Sequence, residues 1–182
     1  TPSATVSSTT EINNISSKPA SGQIYAFTPV LGPEIVLSSN NPAVQPGIIV
    51  QNTSNNIVYR LDVTVAQANA TLTGMQFTTS GTYSASDLNY LKVYYSADAT
   101  LSIGVDQQLS RTNTGLGVGN HVMPNFRSQI LPANSTGYLF IVADLNCSSL
   151  EGKTLSVNAI TTGDLTFLNG TKHAGAGKEL AF

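Results

Sequence analysis

The chain has 182 residues, of which 10% are charged and 41% hydrophobic, and its formal net charge is −2. That length suits one large β domain or a domain with an appendage, and it buries a core without metal or disulfide staples. Ordinary hydrophobicity with little net charge excludes a disordered chain, and the eight scattered Lys and Arg residues exclude the clustered basic surface that nucleic-acid binding requires.

Thr, Ser, Asn and Gly take the place of the missing charge. Cys147 is the single cysteine, so no internal disulfide forms, and alone it says little about redox compartment. No apolar run approaches the roughly 18–20 residues of a membrane span, so no membrane insertion is expected. No signal peptide is recognisable from Thr1 onward, so an exported protein would be present in processed or excised form. An extracellular, cell-surface location is the expectation from texture: low charge, abundant Thr, Ser and Asn, and β-branched runs. Asn-x-Ser/Thr triplets at Asn14, Asn52, Asn69, Asn134, Asn146 and Asn169 are either glycosylation acceptors or the chance product of this composition.

In chain order, residues 1–33 read as an extended polar arm. It opens on Ser7-Ser8-Thr9-Thr10, Asn13-Asn14 and Ser16-Ser17, with Val6, Ile12 and Ile15 as sparse apolar points. A stretch of this kind buries too little surface to order itself, so it is expected to dock on its own domain or on a neighbouring copy. Gln23–Phe27 reads as a short strand within the arm, stopped by Pro29. From residue 34 to 182 the pattern is β throughout. Glu34–Leu37 and Ile48–Val50 read as strands, separated by the turn signals Asn40-Asn41-Pro42 and Pro46-Gly47. Tyr59, Leu61, Val63 and Val65 alternate with Arg60, Asp62 and Thr64, which predicts a half-buried strand. Leu72–Thr78 follows, with a phase shift at Gly74 that predicts a bulge. Ser84–Leu88 reads as a helical turn capped by Ser84, and Leu91–Tyr95 as a strand. Residues 97–120 read as loop-rich, with Gly115, Gly117 and Gly119 close together. His121–Phe126 is a weak strand broken by Pro124, Tyr138–Asp144 the most apolar strand and the central one. Leu155–Ala159, Leu165–Leu168 and Glu179–Phe182 complete the series. About ten short strands between turn signals predict an all-β, antiparallel β-sandwich, immunoglobulin-like or jelly-roll-like, with an extended N-terminal arm. Tyr25-Ala26-Phe27-Thr28-Pro29 also echoes the junction that Leu180-Ala181-Phe182 would make with another Thr1-Pro2, as in a tandem array or a head-to-tail assembly.

Three segments carry a family resemblance. They are Leu72–Thr82 with Ser86-Asp87-Leu88 and Leu91–Tyr95; Leu131-Pro132-Ala133 leading to Gly137–Phe140 and Ala143-Asp144; and Glu151–Leu155. In order and spacing they resemble a β-sandwich domain associated with bacterial BNR-repeat neuraminidases, also found in surface and secreted proteins of the Bacteroidetes. The likeness runs from about Glu34 to Phe182 and consists of strands and turns rather than chemistry. It implies an accessory role as spacer, adhesive or assembly module, and transfers no catalytic residues. Sialidase chemistry is not expected, because the Asp-box repeats of the associated propeller contain Trp and this chain has none.

No catalytic, cofactor-binding or metal site is expected. His121 and His173 read as surface polar residues and Cys147 as a buried inert thiol. Asp98 and Asp106 flank one loop and could join backbone carbonyls around calcium, against the simpler expectation of solvated carboxylates or turn caps. Asp144, at the end of the central strand, reads as an acceptor for backbone N–H groups at a turn. Gly115, Gly117 and Gly119 lack the helix that a phosphate loop requires and read as a hairpin loop. The adjacent Tyr94 and Tyr95 face opposite sides of a strand, so one of them is expected to be exposed. Tyr90 and Tyr95 are the candidate glycan contacts, beside the loops 97–120 and 169–178. The leading expectation is a non-catalytic structural module of a bacterial surface filament or adhesin. Its partners would be copies of itself, joined when a neighbour's arm adds a strand to an open sheet edge through Val6, Ile12, Ile15, Ile24, Tyr25 and Phe27. The alternative is a carbohydrate- or surface-binding accessory module.

Overall fold

The computed structural model describes residues 32–38, 44, 46–148, 151–168 and 171–172. The arm residues Val6, Ile12, Ile15, Ile24, Tyr25 and Phe27, the segment Gln23–Phe27, His173 and Glu179–Phe182 lie outside these, as does loop 169–178 apart from residues 171–172. The described chain is a sandwich of two sheets. Its strands are β1 (Glu34–Ser38), β2 (Asn56–Ala66), β3 (Ala70–Gly81), β4 (Leu88–Ser96), β5 (Gln107–Thr112), β6 (Gly119–Val122), β7 (Gln129–Leu131), β8 (Ser135–Leu145), β9 (Leu155–Val157), β10 (Leu165–Phe167) and β11 (Thr171–Lys172). Sheet A runs β1-β2-β8-β4-β5, antiparallel throughout, with the two residues of β11 added in parallel beside β1. Sheet B is built around β3.

The expected alternation of β2 is present. Leu61, Val63 and Val65 point inward and are fully buried, while Arg60 and Asp62 face outward as an ion pair at 2.8 Å. Strand β8 is central, with Leu139, Ile141 and Ala143 directed into the core against β2 and β4. Leu91 and Val93 continue the same layer from β4. Sheet B answers with Leu72, Met75 and Phe77 from β3, Leu131 from β7 and Leu165 from β10. The two layers bury their apolar faces against each other, the driving force for any sandwich.

Sheet B has an unusual plan. β10 pairs with β3 over Leu72–Met75 and β7 over Ala70–Leu72, so these two lie on opposite sides of β3. β6 and β9 both reach Thr79, so they too lie on opposite sides. β3 is therefore a spine, flanked end to end by β6 and β7 on one side and by β9 and β10 on the other. The bulge expected at Gly74 is found one residue earlier in the ladder: Thr166 faces Gly74 but Phe167 faces Leu72, which leaves Thr73 as the extra residue. The extra residue reverses side-chain phase, so Leu72 and Met75 both point inward.

Several expectations are corrected. Ile48–Val50 is not a strand; it has no ladder partner among the described residues, and Ile48 is 98% exposed. An apolar triplet directly after Pro46-Gly47 satisfied composition but not alternation. The loop-rich stretch 97–120 also holds a strand that was not expected, β5, which forms the edge of sheet A. The Gly115–Gly119 segment is no hairpin: it carries the chain from β5 in sheet A to β6 in sheet B. Ser84 begins the expected turn, a short 3-10 helix over Ala85–Asp87. The Asp87 carboxylate accepts the Ser84 N–H at 2.6 Å and the Lys153 ammonium at 2.8 Å. The bond from Lys153, and then that from the Ser84 N–H, hold the Asp87 carboxyl at about 2.

Candidate functional site

His121 is buried, not a surface residue, and only 4% of it is exposed. Its Nε2 lies 2.8 Å from the Thr79 hydroxyl, which lies 2.5 Å from the Tyr83 hydroxyl. A bond to the Gly115 backbone engages the ring as well. With Nδ1–H donating to that carbonyl, Nε2 accepts from Thr79, and Thr79 in turn accepts from Tyr83. Burial pushes the imidazole below its ordinary value and outweighs the opposing effect of the Gly115 bond. Thr79 is 1% exposed, so this chain of hydroxyl and imidazole groups offers no surface for a substrate. It clasps the glycine-rich crossover to the spine of sheet B.

The remaining chemistry-bearing residues fall into ordinary roles. Cys147 is exposed rather than buried, since it follows the end of β8 in a turn. Asp98 accepts the Thr100 N–H at 2.8 Å and Asp106 the Ser102 N–H at 2.6 Å, so each caps its own turn. Among the described residues, no three His, Cys, Asp or Glu side chains converge as a metal site.

The two tyrosines proposed as glycan contacts separate. Tyr95 faces inward and packs against the main core. Gly137 makes room for it: a Cβ there would lie 2.5 Å from Tyr95 Cε2. Burial raises the Tyr95 phenol above its ordinary value. Tyr95 is half-buried there, while Tyr94 faces outward and is buried, in a second small cluster with Phe140 and Val142 that Ile57, Leu101 and Tyr138 border. The expectation that one of this pair is exposed is therefore corrected. The loop after β4 folds back over the outer face, where Arg60 donates to the Ala99 carbonyl.

Tyr90 stands apart, on the outer face of sheet A at the end where β8 finishes. It lines a shallow, open depression of about 560 Å³ with Asn52, Thr53, Asn89, Asn113 and Asp144. Two bulges shape this end. Val58 is the extra residue of β2 against β8, and Asn89 that of β4 against β8; such bulges re-aim the side chains around them. The Arg111 guanidinium lies 5.4 Å and the Lys92 ammonium 5.9 Å from the centre of the Tyr90 ring, within range of cation–π attraction. Asp144 accepts the Asn55 backbone N–H at 2.7 Å, as expected of a turn acceptor, and also pairs with Lys92 at 2.5 Å. Lys92 Nζ donates in addition to Asn55 Oδ1 at 3.0 Å. The depression thus combines amide and hydroxyl groups, one aromatic ring and a charged pair. The sequence pointed to Tyr90 but not to its companions, which come from the ends of four strands, β2, β4, β5 and β8. No protein-family model matches the chain, and a search of curated proteins finds no match.

Proposed function

We propose that the chain is a non-catalytic structural module of a bacterial surface filament or adhesin, and that copies join when the arm of one, residues 1–33, adds a strand to the sandwich of the next. The observation that carries this reading is the build of sheet B. Among the described residues its flanks consist only of the short strands β6, β7, β9 and β10, so main-chain donors and acceptors border both sides of a single spine. Unpaired edges of this kind accept an added strand. The flank formed by β6 and β7 also turns Val122 and Ile130 outward, each well exposed beside Thr and Gln residues of β3. An arm with Val6, Ile12 and Ile15 spaced among Ser, Thr and Asn has the matching texture. The resemblance to sandwich domains of secreted Bacteroidetes proteins supports the same accessory role.

Negative-stain imaging and size-exclusion chromatography test this reading. The full chain is expected to form filaments or a ladder of oligomers. Deletion of residues 1–21, or the double substitution Ile12→Asp and Ile15→Asp, is expected to leave a folded monomer. Assembly that survives both changes would overturn it.

The polar depression favours a second reading, a module that docks a glycan. Asn and Asp side chains around an aromatic ring suit a sugar's hydroxyls and its apolar face. On a glycan array, binding by the full chain that Tyr90→Ala reduces at least about tenfold, the effect of roughly 1.4 kcal/mol, is the expected result. Tyr95→Phe, at a ring the core already holds, is expected to leave such binding intact. An array without signal above background removes this reading.

A further inference from the structure

The geometry points to a covalent cross-link between Lys92 and Asn55, an amide formed from the two side chains with the help of Asp144. The three groups sit on adjacent tracks of sheet A. Lys92 is on β4, Asn55 immediately precedes β2, and Asp144 is on β8 between them. Lys92 Nζ lies 3.0 Å from Asn55 Oδ1 and 2.5 Å from Asp144 Oδ2. The other Asp144 oxygen holds the Asn55 backbone N–H at 2.7 Å. The nucleophile thus touches both the acyl group and the proton carrier, the arrangement that makes an intramolecular reaction fast.

The surroundings suit the chemistry. The Lys92 and Asp144 side chains are only 12% and 11% exposed. Lys92 stands opposite Val142, which is fully buried, so little water hydrates the two charges. Asn55 adopts a left-handed backbone conformation, φ 61°, which asparagine tolerates better than most residues. That turn and the bond from its backbone N–H to Asp144 fix the backbone that carries the side-chain amide.

The step balances without any further reagent. Asp144 Oδ2 takes a proton from the Lys92 ammonium, which frees the lone pair on Nζ. Nζ attacks Cγ of Asn55, and a bond from Nζ to Cγ forms. The bond from Cγ to Nδ2 breaks as Asp144 returns its proton to Nδ2. Of the three ammonium hydrogens, one stays on the new amide, and two leave with Nδ2 as an ammonium ion. Asp144 ends as it began, a carboxylate. The product ties the entry of β2 to β4 across β8, through the middle of the larger sheet.

Intact mass spectrometry of the full chain is the test, followed by tryptic mapping. The full chain is expected to be lighter than its sequence by one ammonia. Mapping should yield a branched peptide in which Lys92 is joined to Asn55 and trypsin no longer cuts at Lys92. The branch should survive hydroxylamine, which opens the succinimide that asparagine can form with an equal loss of mass. Lys92→Arg and Asp144→Asn should each restore the full sequence mass. A wild-type chain of unaltered mass, or one whose Lys92 and Asn55 peptides are separate, overturns the proposal, and it does so whether or not either variant folds.

Discussion

Replacing Phe77 by Ala is expected to lower stability by about 3–5 kcal/mol, the usual cost of removing a buried aromatic ring. Phe77 is 1% exposed and points from the middle of β3 into the main core. Its ring lies 5.3 Å from that of His121, inclined at 39°. Among the described residues every strand of sheet B pairs with β3, so a void there has no second long strand among them to close over it. The ring also backs the imidazole that holds the glycine-rich crossover. A domain of this size has a total stability of about 5–15 kcal/mol, so the change removes a large share. At roughly 2–4 °C per kcal/mol, the melting temperature should fall by about 6–20 °C in a calorimetric or circular-dichroism melt. Phe77→Leu keeps much of the volume and should cost about 1–1.5 kcal/mol. A Phe77→Ala protein within about 1 kcal/mol of the wild type would mean that β3 does not organise the sandwich as described.

The parts of this fold that were legible in the sequence are those fixed by local periodicity. Tyr59–Val65 alternates because one face of β2 is buried and the other is not. Tyr138–Asp144 reads as central because Leu139, Phe140, Ile141, Val142 and Ala143 are buried on both faces, and such a strand loses alternation. The phase slip at Gly74 betrays a bulge for the same reason. Strand β5 was not legible. Its sequence is polar, Gln107-Gln108-Leu109-Ser110-Arg111-Thr112, and a bulge at Leu109 places two neighbours, Leu109 and Ser110, inside together. Ile48–Val50 misled because apolar content alone does not supply a ladder partner.

The side-chain clusters were harder still, because their members are distant in sequence. His121 meets Thr79 across 42 positions, Lys92 meets Asn55 across 37, and Asp144 meets Asn55 across 89. No spacing rule reaches that far; sheet order and register bring these residues together. The placement of Tyr95 escapes local sequence for a related reason. Facing opposite to Tyr94 told only that the two rings lie on different sides of the strand, and both sides of sheet A are covered at that point, one by sheet B and the other by the chain folding back after β4.

Gly81→Ala is expected to cost about 3 kcal/mol or more, through strained backbone and a steric clash together. Gly81 ends β3 at φ 128°, a conformation L side chains rarely adopt. A Cβ at this position would lie 2.2 Å from the Thr154 carbonyl oxygen and 2.8 Å from its carbonyl carbon. That oxygen cannot move freely, because it accepts the N–H groups of Thr82 at 3.0 Å and Tyr83 at 3.2 Å. The Thr154 N–H in turn donates to the Thr82 hydroxyl at 3.0 Å. These bonds tie the exit of β3 to the entry of β9, so relieving the clash means opening the clasp and the pairing of Gly81 with Leu155. Gly104→Ala is the control. Gly104 also has a positive φ, 90°, but among the described residues nothing lies within 4 Å of where its Cβ would be, and its cost should be the backbone strain alone, about 1–2 kcal/mol. In denaturant titrations Gly81→Ala should exceed Gly104→Ala by about 1–3 kcal/mol, and hydrogen exchange should show the β9 amides opening first. Equal costs for the two substitutions would mean that Thr154 yields without loss, and that the clasp between β3 and β9 contributes little to the fold.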